Sequence, residues 1–229
     1  MLSLSTIAFI FSILGSIAAG MFFISPILMI IKLHKTRKTE DVSEFVFILS
    51  AINCVSWTIN FARIIPLDYP PFLINALGLI LNYTYYSIFS AYKYDSPSKY
   101  IFIFGSALTL CGIGLVEYYL WENAINGWIS MSFNILMYGS SLQKLVEVFH
   151  TKDYTLLPIV TSLVQIFCGC CWVIYGTIKR YIFVIVPNVM GIGFGLIGTA
   201  VYFYFAKEER LKLTVSLIGK ESTLEKTTP

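Results

Sequence analysis

Cys168-Gly-Cys-Cys-Trp-Val-Ile-Tyr-Gly-Thr-Ile-Lys-Arg-Tyr-Ile-Phe-Val-Ile-Val-Pro-Asn188 is the stretch that decides how this chain is built. It places Trp172 near the outer end of one apolar segment and a Pro-Asn pair, Pro187 and Asn188, inside the next. An earlier stretch has the same plan: Asn53-Cys-Val-Ser-Trp57, a short polar connection, an apolar segment opening at Pro70-Pro71, and Asn75 within it. Trp57 and Asn75 lie 18 positions apart, Trp172 and Asn188 16 apart. One aromatic and one amide recurring at nearly one spacing point to a single site shared between two halves.

The surrounding composition sets the solvent. Of 229 residues 57% are hydrophobic and 13% charged, with a mean hydropathy of +0.75, against the roughly one-quarter charged content of a soluble domain. This is the composition of an integral membrane protein. A helix needs about 20 apolar residues to cross a bilayer, and runs of that order occupy residues 6–33, 45–65, 71–92, 100–120, 128–148, 157–178 and 182–206. These seven candidate spans are joined by connections too short for a soluble domain. The first run is longer than the apolar core of a secretory signal and has no basic residue before it, so it reads as a retained span. Cys54, Cys111, Cys168, Cys170 and Cys171 all fall inside spans, which argues against a disulfide framework.

Orientation follows from the basic residues, which are retained on the cytosolic side. Alternate connections hold Lys32, Lys35, Arg37 and Lys38, then Lys93 and Lys99, then Lys144 and Lys152, then Lys207, Arg210, Lys212, Lys220 and Lys226; the other face holds only Arg63, Lys179 and Arg180. This predicts an extracellular or luminal N-terminus and a cytosolic C-terminus. The net charge of +3 reflects that bias and implies no nucleic-acid partner.

Pro26 to Trp57 and Ser141 to Trp172 are both 31 residues, so the halves align at an offset of 115. Three spans plus a one-span linker return the second half in the same orientation. The expected architecture is therefore all-α and membrane-integral: seven transmembrane helices forming two parallel three-helix bundles joined by a linker helix. Residues 1–92 form the first repeat, 93–123 the linker, 124–206 the second repeat and 207–229 a charged, mobile cytosolic tail. Gly15-Ser-Ile-Ala-Ala-Gly20 offers small residues for close helix approach, and Pro26 should kink the first span. Glu40, Asp41 and Glu44 suit the start of the second span. Glu117-Tyr-Tyr-Leu-Trp121 reads as an aromatic belt at the outer interface.

Several motifs fail on context. Gly193-Phe-Gly195-Leu-Ile-Gly198 fits the dinucleotide fingerprint but lies mid-membrane, where a smooth packing face explains it better. Cys168 and Cys171 have CxxC spacing, yet the histidines, His34 and His150, sit near the cytosolic ends and complete no tetrahedral site. Asn82-Tyr-Thr84 matches a glycosylation sequon inside the bilayer. With no Ser/His/Asp set, paired intramembrane carboxylates or HExxH, an enzyme is not expected, nor is a metal or cofactor. Glu117 and Glu147 are the acids nearest a span and lie at span ends, so downhill movement of a neutral solute is the simplest transport mechanism. What remains polar at mid-depth is Asn53, Asn75, Asn188, Gln165, Trp57 and Trp172. Amides both donate to and accept from sugar hydroxyls, and an indole face packs on the C–H side of a pyranose. Taken singly, each could equally be helix glue; recurrence across the repeat favours a site.

Ser25-Pro26, the basic hairpin leading to Asn53-Cys54 and Trp57, Leu157-Pro158 through Trp172-Val-Ile-Tyr175-Gly176, and Val186-Pro-Asn188-Val-Met-Gly191 together resemble the SWEET sugar transporters, the MtN3/saliva group, over nearly the whole chain to about residue 206. The resemblance implies a central sugar site and uniport by alternating access. Asn75 and Asn188 would hydrogen-bond the sugar, Trp57 and Trp172 stack against it, and Asn53 and Cys168 line the pocket. Phe22 and Met137 fall where bulk limits substrate size, and both are large, which favours a monosaccharide such as glucose. Pro26 and Pro158 match two of four hinge prolines, the other two positions holding Val46 and Ser141. Tyr175 matches an outer-gate aromatic, whereas the acid that the family places shortly before Val186-Pro-Asn188 is replaced by Arg180-Tyr181.

The expected partners are a small-molecule sugar and membrane lipid, in the plasma membrane or a vacuolar or other endomembrane; a homo-oligomer is left open. Two alternatives share the helix count: a PQ-loop amino-acid exporter of lysosomes or vacuoles, against which stand Ile27 and Ile159 after the prolines, and a seven-helix receptor, whose outer connections here carry only Arg63, Asp68, Glu122, Lys179 and Arg180.

Overall fold

The computed structural model describes residues 3–37, 39, 44–64, 66–94, 97–120 and 122–225. Among them the chain is built from α1 (Leu4–Ile24), α2 (Ile27–Thr36), α3 (Phe45–Ala62), α4 (Tyr69–Lys93), α5 (Ser98–Leu120), α6 (Asn123–Thr151), α7 (Ile159–Lys179) and α8 (Ile182–Glu225), with one 3-10 turn at Tyr154–Leu156. Lys38, Glu40, Asp41, Trp121 and Lys226, which the sequence reading placed in the hairpin, the interface belt and the tail, lie outside the described residues.

Local chemistry sets the boundaries. Ser3 caps α1, its hydroxyl accepting from the Thr6 amide at 3.1 Å. Pro26 separates α1 from α2, while near-helical dihedrals at Ser25 and Pro26 keep them in one interrupted 33-residue span, Leu4–Thr36. Pro70 and Pro71 stand in the first turn of α4, where a missing amide leaves no helical bond unmade. Pro158 stands in an extended conformation at the N-cap position of α7. One expectation needs adjustment. The chain after Ala206 continues as helix to Glu225, since Lys, Glu, Arg and Leu are strong helix formers even without an apolar stripe.

Among the described residues six helices are both long and apolar enough to cross a membrane, α1 and α2 counting as one. The seventh, α6, is 29 residues long but carries Asn, Gly, Ser, Gln and Lys along its length. The protein is an all-α integral membrane protein with seven membrane-length helical segments.

The packing repeats about a pseudo-two-fold relation. α4 lies against both α1 and α3, and α8 against both α6 and α7, so the last helix of each triplet packs on the other two. The triplets meet along two seams, α1 on α7 and α3 on α6, which exchange when the halves are exchanged. α5 packs on α3 and α4. The two ends of the molecule differ, however. Toward the face where α1 begins, here the N-terminal face, one core draws Ala8, Trp57, Phe61 and Ile74 together with Cys168, Trp172, Tyr175 and Val184 from the other half. Toward the opposite face each half has its own core: Leu33, Phe47, Tyr85, Tyr86 and Phe89 in one, Leu145, Val148, Leu157, Val201 and Phe205 in the other.

Candidate functional site

A cavity of about 330 Å³ lies at mid-depth between the triplets, and each of the six bundle spans contributes to it. α1 supplies Ala19, Phe22 and Phe23, and α6 supplies Asn134, Met137 and Tyr138, each set 115 positions from the other. α3 brings Asn53, Trp57 and Phe61; α7 brings Gln165, Cys168, Gly169 and Trp172; α4 and α8 bring Asn75 and Asn188. These α3 and α7 residues recur at helical three- and four-residue steps, so each set lines one face. All eight residues expected for binding and for size limitation line this one cavity.

The two amides are held alike. Asn75 donates Nδ2–H to the Pro71 carbonyl at 2.8 Å, and Asn188 donates to the Val184 carbonyl at 2.7 Å. Each is pinned to its own helix through one amide hydrogen, which leaves the Oδ1 acceptor and a second N–H for another partner. Asn53 is also buried, and its Oδ1 has no hydrogen-bond partner within the protein. A buried acceptor without a donor costs about 1–3 kcal/mol, so an Oδ1 at a cavity wall suits a hydroxyl brought by a ligand. Opposite it in the repeat, the Cys168 thiol contacts the Gly15 carbonyl at 3.6 Å. That leaves one seam polar and the other soft.

The aromatic walls depend on glycines. A Cβ on Gly15 would stand 3.0 Å from the Trp172 ring, so the bare backbone of α1 lets that indole sit flat between the halves. Gly78 and Gly191 are partners in the repeat, and they accept the rings of Phe23 and Tyr138 respectively. The rings differ in one atom: Tyr138 donates its hydroxyl to the Pro187 carbonyl at 2.9 Å, next to Asn188. Gln165 adds a bond to the Gly191 carbonyl at 2.9 Å. The sequence analysis singles out neither Tyr138 nor Asn134; the signal for them is helical spacing, Asn134 lying three positions before Met137 and four before Tyr138.

The lining contains no Asp, Glu, Lys, Arg or His. Charged side chains meet the halves' junction nearer the N-terminal face. There Tyr175, 1% exposed, donates to Asp68 Oδ2 at 2.9 Å, and Lys179 Nζ pairs with the same oxygen at 3.2 Å. Tyr175 therefore does have an acidic partner, supplied by the residue capping α4 and not by the region before Val186. Tyr181 donates to Asn60 Oδ1, and Asn60 donates to Ser130 Oγ at 3.4 Å. Together with the Phe61 and Trp57 rings, stacked at 5.6 Å, these contacts close the space between the cavity and this face.

Glu117 also departs from its expected place in an interface belt. It is fully buried against α3, accepts from Ser56 at 2.6 Å, and its main-chain carbonyl accepts from Arg63 at 3.1 Å. These bonds anchor the end of α5 to α3, the helix that carries Trp57. The glycines read as a packing face behave so at Gly195 and Gly198, which meet α7, whereas Gly193 faces open space.

Comparison with known proteins places these features in a family. The model of MtN3_slv, described as "Sugar efflux transporter for intercellular exchange", matches residues 4–96 and 125–210, leaving out the stretch that carries α5. The bidirectional sugar transporter NEC1 of Petunia hybrida is 27% identical across 96% of this chain and 85% of its own. Bidirectional sugar transporter SWEET15 of Oryza sativa subsp. indica is 25% identical across 98% of this chain and 72% of its own. The solved structure of a eukaryotic SWEET transporter has the same fold, with a TM-score of 0.79 at 22% identity over 89% of this chain and 99% of that one.

Proposed function

Since the chain belongs to the MtN3/saliva (SWEET) family and is a transporter and not an enzyme, we propose that it moves a monosaccharide such as glucose down its gradient by alternating access. The observation that carries this reading is the uncharged cavity between two repeated triplets, with matching amides and indoles facing one space. Its volume of about 330 Å³ lies near the low end of small-molecule sites, about 300–1,000 Å³, which suits one sugar ring better than two. Asn75 and Asn188 would accept from and donate to ring hydroxyls, while Trp57 and Trp172 pack against the C–H faces. Asn53 would take a further hydroxyl on the polar seam, with Cys168 filling the other, and Phe22 and Met137 would limit length.

Uniport follows from the chemistry of the lining, since none of these side chains carries a charge at neutral pH. In the cycle, residues 1–92 and 124–206 would rock about the site, with residues 93–123 as the linker. The ties at Tyr175–Asp68 and Tyr181–Asn60 would open as the opposite face closes. Pro26, which already breaks the first span, is the natural pivot in the first half; Pro158, at the start of α7, would act at the end of a helix. The excess of basic residues orients the N-terminal face outward or to a lumen.

Radiolabelled glucose counterflow in liposomes tests this, with Asn75→Ala and Asn188→Ala beside the native chain. Each substitution should lower flux about tenfold or more, the scale of one or more hydrogen bonds lost from a desolvated site. No flux by folded native protein would rule the reading out, and flux driven by an imposed pH gradient would overturn uniport.

A further inference from the structure

A second cavity lies away from the central site, between α2 and α4 at the face opposite the N-terminus. It measures about 590 Å³ and is lined by Ile30, Ile31, Ile88 and Ala91, with His34, Lys35 and Tyr92 at its rim. We propose that this groove binds one anionic phospholipid of the leaflet on that face, its headgroup held by Lys35 and Arg37 and an acyl chain laid along the isoleucines.

The groove is amphiphilic in the right order. Ile31 is 45% exposed, and Ile30, Ile31 and Ile88 stand below the rim, where a bilayer presents hydrocarbon. Basic side chains cluster above them. Lys35 is on the rim itself, and Arg37, held in a left-handed conformation with φ 58°, sets its guanidinium over the Tyr92 ring at 4.7 Å. Lys32 is exposed on the same helix. Of the charges across from them on α4, Lys93 is paired with Glu44 at 2.6 Å, which removes the described carboxylate of that region from competition.

The usual role of cations in a last turn is to complement the helix dipole. That accounts for His34 and Lys35, but it provides no reason for an apolar groove beside them. A phosphodiester with an acyl chain satisfies both. Basic pockets between membrane helices on the cytosolic side are suited to anionic headgroups, and each Lys or Arg near such a surface contributes about 1 kcal/mol. A soluble phosphate would leave the isoleucines uncovered, and a choline headgroup would bring a cation to the basic rim.

The groove also lies where support is scarce. α2 follows the break at Pro26 and packs on α4 alone among the helices in appreciable contact with it. Leu33 is its buried anchor, and the His34 Nδ1 to Tyr92 Oη contact at 2.5 Å closes its end. A lipid wedged alongside would fix the position of this half-helix. Assigning the leaflet as cytosolic rests on the orientation given above; binding itself rests on neither orientation nor sugar transport.

Native mass spectrometry of the full chain in detergent, titrated with equal phosphatidylserine and phosphatidylcholine, tests the proposal. One phosphatidylserine should be retained in preference to phosphatidylcholine. Lys35→Gln/Arg37→Gln should reduce that preference on the order of tenfold, and Ile31→Trp, which fills the groove, should displace the retained lipid of either kind. Lys144→Gln/Lys152→Gln, at the same face of the other half, should leave the preference unchanged. Equal retention of the two lipids by the native chain would overturn the site. So would a preference that survives Lys35→Gln/Arg37→Gln, or one that is lost equally in the Lys144/Lys152 variant.

Discussion

Two tyrosine hydroxyls tie the halves together at the N-terminal face, and their hydrogen bonds occupy equivalent places in the repeat. In one, Tyr175 near the end of α7 reaches Asp68 before α4; in the other, Tyr181 before α8 reaches Asn60 near the end of α3. Tyr175 lies 115 positions after Asn60 and Tyr181 lies 113 after Asp68, so the donor and acceptor have changed places between the halves. Only one of the two acceptors is an acid. The repeat thus preserves where the halves are joined while varying how strongly. A charged acceptor makes a bond of about 1.5–3 kcal/mol, against about 0.5–1.5 for a neutral one. Opening this face should therefore be controlled mainly by Asp68, with Tyr181 as the weaker tie.

Asp68→Ala is the strongest way to break that asymmetry. It removes the acceptor of a Tyr175 hydroxyl that is otherwise buried and leaves the hydroxyl unpaired. The expected result is a shift toward the form open at this face by about tenfold or more. It can be read as faster labelling of Cys168 by an impermeant maleimide added from that side, with Cys168→Ser as the blank. Asp68→Asn keeps an acceptor and should shift labelling less. Tyr181→Phe removes only the neutral bond to Asn60 and should change labelling by a few-fold at most. Equal effects of Asp68→Ala and Tyr181→Phe would show that charge does not set the difference.

Lys179 sharpens the same comparison at lower amplitude. Its side chain is 44% exposed and that of Asp68 is 10% exposed, at 3.2 Å. An ion pair so open to solvent contributes about 0–1 kcal/mol and is screened by salt. Lys179→Ala should raise Cys168 labelling by less than Asp68→Asn does. Added salt should move the native chain toward the variant. A large, salt-insensitive effect would make Lys179 a full partner in the tie.

Much of this arrangement was legible in the chain because it depends on local pattern. Spans follow from apolar length, and Asn75, Asn188, Trp57 and Trp172 from one spacing repeated at a fixed offset. The proline break at Pro26 follows from a missing amide hydrogen. The partner of Tyr175 was not legible. Asp68 lies 107 residues away, and the reading looked for an acid just before Val186 where the resemblance placed one. Only the fold, which brings the residue before α4 to the hydroxyl of Tyr175 near the end of α7, shows that Asp68 of the other half supplies it. Glu117 was misplaced for a related reason. Proximity to a span end is a sequence property, whereas the side of α5 that faces Ser56 is set by packing. The continuation of α8 past Ala206 failed on a different ground, because the absence of an apolar stripe says what a helix packs on and not whether it forms.

At the opposite face the ties among the described residues stay within each half. Glu44, before α3, accepts from Lys93 at 2.6 and 2.7 Å and from Tyr94 at 2.9 Å, at the end of α4. In the other half the Tyr154 ring, before α7, packs edge-on against Tyr202 of α8 at 5.1 Å. Burial pushes the Glu44 carboxyl up, but the bonds from Lys93 and Tyr94 more than reverse this and hold it below its ordinary value of 4.5. A carboxyl whose folded value is depressed stabilises the fold fully above the unfolded value and loses that contribution as pH falls through the folded one. Acidification below about 4.5 should therefore lower the thermal midpoint of the native chain more than that of Glu44→Gln, which has no charge to lose. The described partners of Glu44 lie in its own half, so neither the substitution nor the acid should raise Cys168 labelling from the N-terminal face in a still-folded protein. If Glu44→Gln raised it, the two faces would be coupled through α3 and α4, and the separation between ties across the halves and ties within them would fail.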